Sequence, residues 1–382
     1  MVIETKIVID VLLALGVALL ISFLTTPLVK MFAYKVGAID VPKDARRVHK
    51  HPIPRLGGLA MFIGFLLAVV LFADIDRQTE GILLGSIVIV ILGVIDDIMP
   101  LPALLKFGVQ IVAALIAVYF GVVIEIVSNP NVFSSVEYVF LNGWSIPLTV
   151  IWIVAITNSV NLIDGLDGLA AGVSAIASIT MLVVAVVLGS GNVAVILAAL
   201  TGACIGFLPY NFNPAKIFMG DTGALFLGYV LATLSVTGLF KFYAIISFAV
   251  PILALALPLF DTVFAFSRRL LKGQNPMAPD RGHFHHRLLD MGLSQKQVVA
   301  ILYSISAVLG LAAVVITTSG EIKAIILILA FAVAMAIGAA LMKGRIHEKE
   351  AEKIAQEATE TETPCAEKTV EETKDEPEDP AQ

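Results

Sequence analysis

Long apolar runs alternate with short polar stretches along almost the whole chain. Eleven runs stand out, near residues 7–29, 56–73, 81–95, 103–124, 145–160, 168–188, 192–209, 223–240, 243–265, 298–317 and 321–342. A helix needs ~20 apolar residues to cross the hydrocarbon core, and most of these runs approach that length. The shorter ones predict tilt or partial burial. The runs are continuous rather than alternating with period two, which excludes a transmembrane β-barrel. The pattern therefore predicts an all-α, polytopic membrane protein with about eleven transmembrane helices. The first run is too long for a signal-peptide core and lacks a basic leader, so it is kept as a span. One stretch differs. Residues 132–140 alternate loosely and Leu141-Asn142-Gly143 has turn character, predicting a small extracytoplasmic β-hairpin.

Composition strengthens this picture. Of 382 residues, 58% are apolar before the 29 glycines are counted, and 15% are charged. Soluble domains carry roughly 25% charged residues. A soluble enzyme, a disordered chain and a secreted disulfide scaffold are all excluded, the last because there are only two cysteines, Cys204 and Cys365. The net charge of −6 is unevenly spread. Residues 345–382 hold thirteen acidic and five basic residues, so the rest is slightly basic. This divides the chain into a transmembrane catalytic domain, 1–344, and an acidic cytoplasmic tail, 345–382, whose composition favours disorder. With the N-terminus outside, Lys and Arg divide 21 to 4 in favour of the inner side. That is a strong positive-inside bias, and an odd number of spans leaves the C-terminus in the cytoplasm.

On this topology five polar loops open on the inner side. They contain Arg46-Arg47-Val48-His49 with Pro54-Arg55, then Asp96-Asp97, then Asn161 to Gly168, then Asn211 to Gly223, then Arg281 to Arg287. Together they bring five carboxylates and four histidines to one membrane face. Adjacent Asp96 and Asp97 at a helix C-terminus repel each other and oppose the helix dipole, so a cation or proton is expected there. Asp164 and Asp167 share a face if their segment is helical. Asp221 is placed either as a helix N-cap or as a ligand. His283, His285 and His286 have no neighbouring cysteine, and hard oxygen ligands suit Mg2+, or Mn2+, better than zinc. Arg281 and Arg287 beside them fit an anion. Carboxylates for a divalent cation facing Arg and His for phosphate are what phosphoryl transfer requires. The location implies one lipid substrate and one cytosolic phosphate ester.

The same residues resemble a family. Gly93-Val94-Ile95-Asp96-Asp97, residues 161–169, Asn211-Phe212-Asn213-Pro214-Ala215 with Phe218-Met219-Gly220-Asp221-Thr222-Gly223, and His283-Phe284-His285-His286 are similar to motifs of the polyprenyl-phosphate N-acetylhexosamine-1-phosphate transferases. The resemblance implies magnesium-dependent transfer of a sugar 1-phosphate from a UDP-sugar to a polyprenyl phosphate, usually undecaprenyl phosphate, with release of UMP. It implies catalytic roles for Asp96, Asp97, Asp164 and Asp167. It implies metal ligation by Asp221 with Asp97, and substrate contacts from His49, Arg55, Asn161, Asn211, Arg281, His283, His285 and His286. The His-Phe-His-His form and residues 40–58 look like the branch using UDP-N-acetylglucosamine, the first membrane step of an envelope glycan such as teichoic acid or O-antigen. The expected location is the inner, cytoplasmic membrane. No nucleic acid is expected as a partner, and a homodimer is left open. Two alternatives stand beside this: the phospho-N-acetylmuramoyl-pentapeptide transferase of peptidoglycan synthesis, which typically carries three consecutive histidines, and a membrane transporter. Carriers place ionisable groups near the bilayer midplane, whereas here they lie at the inner ends of spans.

Overall fold

The computed structural model describes residues 5–42, 51–128, 138–238, 244–271, 273, 283–319 and isolated positions between 323 and 332. The chain divides into two units, Met1–Ile328 and Leu329–Gln382. The second, with the expected tail, lies almost wholly outside the described residues, as do His49 and Arg281.

Helices dominate. They are α1 (Thr5–Val36), α2 (Gly58–Phe72), α3 (Arg77–Ile98), α4 (Ala103–Tyr119), α5 (Ser145–Ile163), α6 (Leu169–Val187), α7 (Gly191–Asn211), α8 (Gly220–Gly238), α9 (Ala244–Ala254), α10 (Ala256–Leu271), α11 (Phe284–Asp290) and α12 (Gln295–Ser319). Six described helical segments are long and apolar enough to span a bilayer, and α2 and α4 are shorter apolar helices. Ten of the eleven apolar runs coincide with these helices; the run at 321–342 falls mostly outside the described residues. The run at 243–265 is not one helix but two, α9 and α10, broken at Leu255. Pro251 sits inside α9 and Pro258 in the first turn of α10. Proline lacks a backbone N–H and is best accommodated in a first turn, as Pro258 is in α10, whereas Pro27, Pro209 and Pro251 are carried inside helices.

Helix α8 is the centre. Every residue from Thr222 to Gly238 is buried, as expected of a helix that is apolar all round. It packs mainly against α3 and α5. Around this core α1 crosses α7 and α2, and α6 lies between α7 and α12. The α1–α7 crossing depends on Gly202 and Gly206, one turn apart on α7. A Cβ at Gly202 would lie 2.2 Å from Leu15 O, and one at Gly206 2.2 Å from Leu19 O. Without a hydrophobic drive inside lipid, such close backbone approach is what holds helices together.

Two short antiparallel ladders complete the fold. β1 (Ile39–Asp40) pairs with β2 (Ile53–Pro54). β3 (Ile126–Ser128) pairs with β4 (Tyr138–Phe140). The second ladder lies near the expected hairpin but is not the one predicted. β3 precedes the 132–140 stretch, residues 132–137 lie outside the described residues, and the connection is not Leu141-Asn142-Gly143. Those residues follow β4, and Asn142–Trp144 form a 3-10 turn leading into α5.

Candidate active site

Helices α3, α5 and α7 end, and α4, α6 and α8 begin, at one pole of the bundle. Pro100 and Pro102 follow α3 and hold the α3–α4 loop to four residues. Lys106, in the first turn of α4, therefore folds back over Asp96. Its Nζ donates to Asp96 Oδ2 at 3.1 Å and to Asp221 Oδ2 at 3.0 Å. Asp96 Oδ1 also accepts from Leu101 N at 2.7 Å. Asp97 turns the other way. Its Oδ1 accepts from Asp221 N at 3.0 Å, and its Oδ2 from Thr222 N at 3.0 Å and Thr222 Oγ1 at 2.6 Å. Asp97 thus caps the N-terminus of α8, where a helix dipole favours a negative charge. Gly220 makes this capping fit: its φ is +68° and a Cβ there would fall 2.3 Å from Asp97 Oδ2. The strain expected of adjacent carboxylates is relieved by a lysine on one and a helix N-terminus on the other. Asp221 lies inside the first turn of α8 and is not its cap.

A cavity of about 340 Å³ opens at this pole, lined by Arg55, Asp97, Asn161, Asp164, Asp167, Asn211, Asp221 and His286 among others. Residues 164–168 form turns, not the helix that would put Asp164 and Asp167 on one face, yet both carboxylates reach the cavity. The Asp164 N–H donates to Asn161 O, but its carboxyl makes no hydrogen bond or ion pair among the described residues. Burial, then the negative charges of Asp221, Asp97 and Asp167, push its carboxyl up to about 8. Asp167 Oδ2 accepts from Asn213 Nδ2 at 2.9 Å and Ala215 N at 3.0 Å. Asn161 Nδ2 donates to Asp221 Oδ1 at 3.1 Å. Asn211 joins two loops: its Oδ1 accepts from Gly168 N and its Nδ2 donates to Ile217 O. Arg55 Nε donates to Asp97 O at 3.1 Å.

The three histidines have different surroundings. His283 and His285 are buried. His283 Nδ1 lies 2.8 Å from Asp261 Oδ2, and Asp261 Oδ1 accepts from Phe284 N at 2.7 Å. His285 stacks on His283 and its Nε2 fills the space a Cβ at Gly165 would need. Burial, then His286, push His285 down to about 4, so it is neutral at pH 7. Of the three, His286 lines the cavity.

Lys106 and the cavity-lining Gln295 are site residues not singled out in the sequence. Gln295 had no signal, but Lys106 did: a lone cation opening an apolar run, on the same side as the acidic loops. Among the described residues no three His, Cys, Asp or Glu side chains form a ready metal cluster. Magnesium, however, is commonly held by one or two carboxylates together with water and substrate phosphates rather than by an all-protein cage. Asp164, whose carboxyl has no partner among the described residues, and Asp221 fit that donor chemistry.

Comparison with known proteins points the same way. Residues 80–239 match the family model "Glycosyl transferase family 4". The chain is 42% identical over 346 residues to a probable undecaprenyl-phosphate N-acetylglucosaminyl 1-phosphate transferase of Bacillus subtilis (89% of this chain, 94% of the relative). It is 37% identical over 321 residues to the decaprenyl-phosphate N-acetylglucosaminephosphotransferase of Mycobacterium tuberculosis (76% and 78%). Identity to a phospho-N-acetylmuramoyl-pentapeptide-transferase of Clostridium beijerinckii is 28% over 315 residues (75% and 94%). With its four motifs gathered at one pole of a helical bundle, the chain belongs to glycosyl transferase family 4 and to the polyprenyl-phosphate N-acetylhexosamine-1-phosphate transferases within it.

Proposed function

We propose that this multi-pass membrane enzyme transfers N-acetylglucosamine 1-phosphate from UDP-N-acetylglucosamine to undecaprenyl phosphate, releasing UMP. The observation that carries the proposal is the convergence of Asp97, Asp164, Asp167, Asp221, Arg55 and His286 on one cavity, in a chain 42% identical to the Bacillus subtilis relative. The muramoyl-pentapeptide alternative has the weaker support, at 28% identity.

The lipid phosphate oxygen attacks the β-phosphorus of the UDP-sugar. The bond from that phosphorus to the bridging oxygen breaks, and UMP leaves. The bond to the anomeric carbon is untouched, so the sugar keeps its configuration. A phosphate monoester has its second pKa near 6, so the attacking group is already largely ionised at neutral pH. Positioning and electrostatics then carry more of the rate than proton removal.

Lys106 bridges the carboxylates of Asp96 and Asp221 with one positive charge, and Asn161 donates to the other oxygen of Asp221. Arg55 and His286 supply positive or donor groups for phosphate oxygens on the cavity wall. Mg2+, or Mn2+, is the proposed cofactor, held by Asp221 together with Asp97, as expected, or with Asp164. Asp97 already accepts three hydrogen bonds from α8, whereas the Asp164 carboxyl accepts none among the described residues. When bound, such an ion neutralises diphosphate charge and polarises its phosphoryl oxygens. We place the cavity and C-terminus on the cytoplasmic side of the inner membrane and the N-terminus outside, on the 21 to 4 division of Lys and Arg.

The test is UMP release by the purified chain given undecaprenyl phosphate and magnesium. Release with UDP-N-acetylglucosamine and not with UDP-N-acetylmuramoyl-pentapeptide supports the assignment. The reverse preference, or no release with either, overturns it.

A further inference from the structure

Asp261 lies on α10, outside the four motifs, and does not line the active-site cavity. Yet it is buried at 7% exposure, and both its oxygens are used on the histidine segment. The Oδ1 bond to Phe284 N fixes the start of α11. The Oδ2 bond selects the His283 tautomer that carries its proton on Nδ1, because a carboxylate only accepts. His283 then stacks on His285, with ring centroids 5.8 Å apart and planes 10° from parallel. His285 lies against His286, at 4.4 Å between centroids, and against Gly165 between Asp164 and Asp167. One carboxylate thus anchors a chain of three imidazoles in contact, the first two stacked and the third tilted by 43°, of which His286 reaches the cavity.

We propose that Asp261 is a positioning residue for the transfer, acting through His283 and the first turn of α11 to hold His286 against the substrate cavity. The proposal deepens the transferase assignment and rests on it. The arrangement is that of a carboxylate orienting a functional histidine, whose removal typically costs about 10–100-fold in activity or affinity. Asn is the informative substitution. It keeps the shape of Asp261, but its amide nitrogen donates. It therefore serves Phe284 N–H and His283 together only with the opposite His283 tautomer, Nδ1 accepting, which keeps both bonds and the fold while moving the ring proton.

The experiment is a double-mutant cycle in the full chain, reading kcat and KM by UMP release and UDP-sugar affinity by calorimetry. Wild-type UMP release reports on the transferase assignment by itself, and the cycle reports on Asp261. Asp261→Asn is expected to lower kcat/KM for UDP-N-acetylglucosamine by about 10–100-fold, with a Tm close to wild type. Asp261→Glu is expected to recover part of the loss. In a His286→Gln background, Asp261→Asn is expected to change both kcat/KM and affinity by less than about 3-fold, because residues acting through one group are non-additive. Full additivity in either cycle, or an Asp261→Asn enzyme of wild-type kcat/KM, overturns the proposal. A purely structural role would lower Tm and remain additive.

Discussion

Asp97 and Thr222 stand 125 positions apart, yet the Asp97 carboxylate accepts from both the backbone N–H and the hydroxyl of Thr222. The last turn of α3 is thereby fixed to the first turn of the central helix α8. One consequence concerns stability. Asp97→Ala leaves the Asp221 and Thr222 N–H groups without this acceptor, a cost of about 1–3 kcal/mol for buried donors. Asp97→Ala is expected to lower Tm measurably in detergent, whereas Asp164→Ala, which breaks no bond among the described residues, is not. Equal Tm values for the two variants would remove Asp97 from its role as the cap of α8.

Lys106 joins Asp96 and Asp221 across two helices. Lys106→Met leaves those carboxylates facing each other without a cation. Turnover is expected to fall by at least about 100-fold, in line with loss of one well-placed electrostatic group in an active site. Lys106→Arg is expected to recover little, because a planar fork does not replace a compact ammonium between two oxygens. Kinetics at fixed protein concentration check both.

Much of the fold was legible because apolar runs near ~20 residues leave few alternatives in lipid. The pole where polar loops meet followed from alternating spans alone. What was not legible depends on distant partners. Nothing near Asp97 in sequence announces that Thr222 uses its oxygens. The pairing of Asp261 with His283, 22 positions away, likewise needed the approach of α10 to α11. The break at Leu255 had a local signal in Pro258 that the continuous hydrophobicity of 243–265 concealed.

His285 gives an acid dependence. Its pKa in the folded chain is pushed down to about 4 from an ordinary 6.5, by burial first. The folded state therefore resists protonation there. The stability from neutral His285 is fully present above pH 6.5 and is lost as pH falls through about 4. His285→Gln is expected to flatten the decline of Tm between pH 6.5 and 4. An unchanged decline in that variant would assign the acid sensitivity elsewhere.

The α1–α7 crossing admits no side chain at Gly206. Gly206→Val is expected to force the helices apart and cost about 1–3 kcal/mol, the usual range for overpacking. Thermal unfolding checks it, with Gly16→Ala on α1, where a Cβ meets nothing within 4 Å, as the neutral comparison.

The last prediction concerns whether transfer is direct or passes through a phosphosugar on a carboxylate such as Asp97 or Asp164. Asp97 is a poor nucleophile here, since its oxygens already accept three hydrogen bonds from α8. Asp164 sits among Asp97, Asp167 and Asp221, a setting that suits a cation ligand better than an acyl phosphate, whose added phosphoryl charge those three carboxylates would repel. A cavity that holds both substrates gains the proximity advantage in one step, worth up to ~7–11 kcal/mol. Direct attack requires a ternary complex, so labelled UMP is expected not to exchange into UDP-N-acetylglucosamine until undecaprenyl phosphate is added. Enzyme stripped of endogenous lipid is needed, because residual carrier would support exchange through the ordinary reverse reaction. Rapid UMP exchange by such lipid-free enzyme, abolished in Asp164→Asn, would replace direct attack with a covalent intermediate on Asp164.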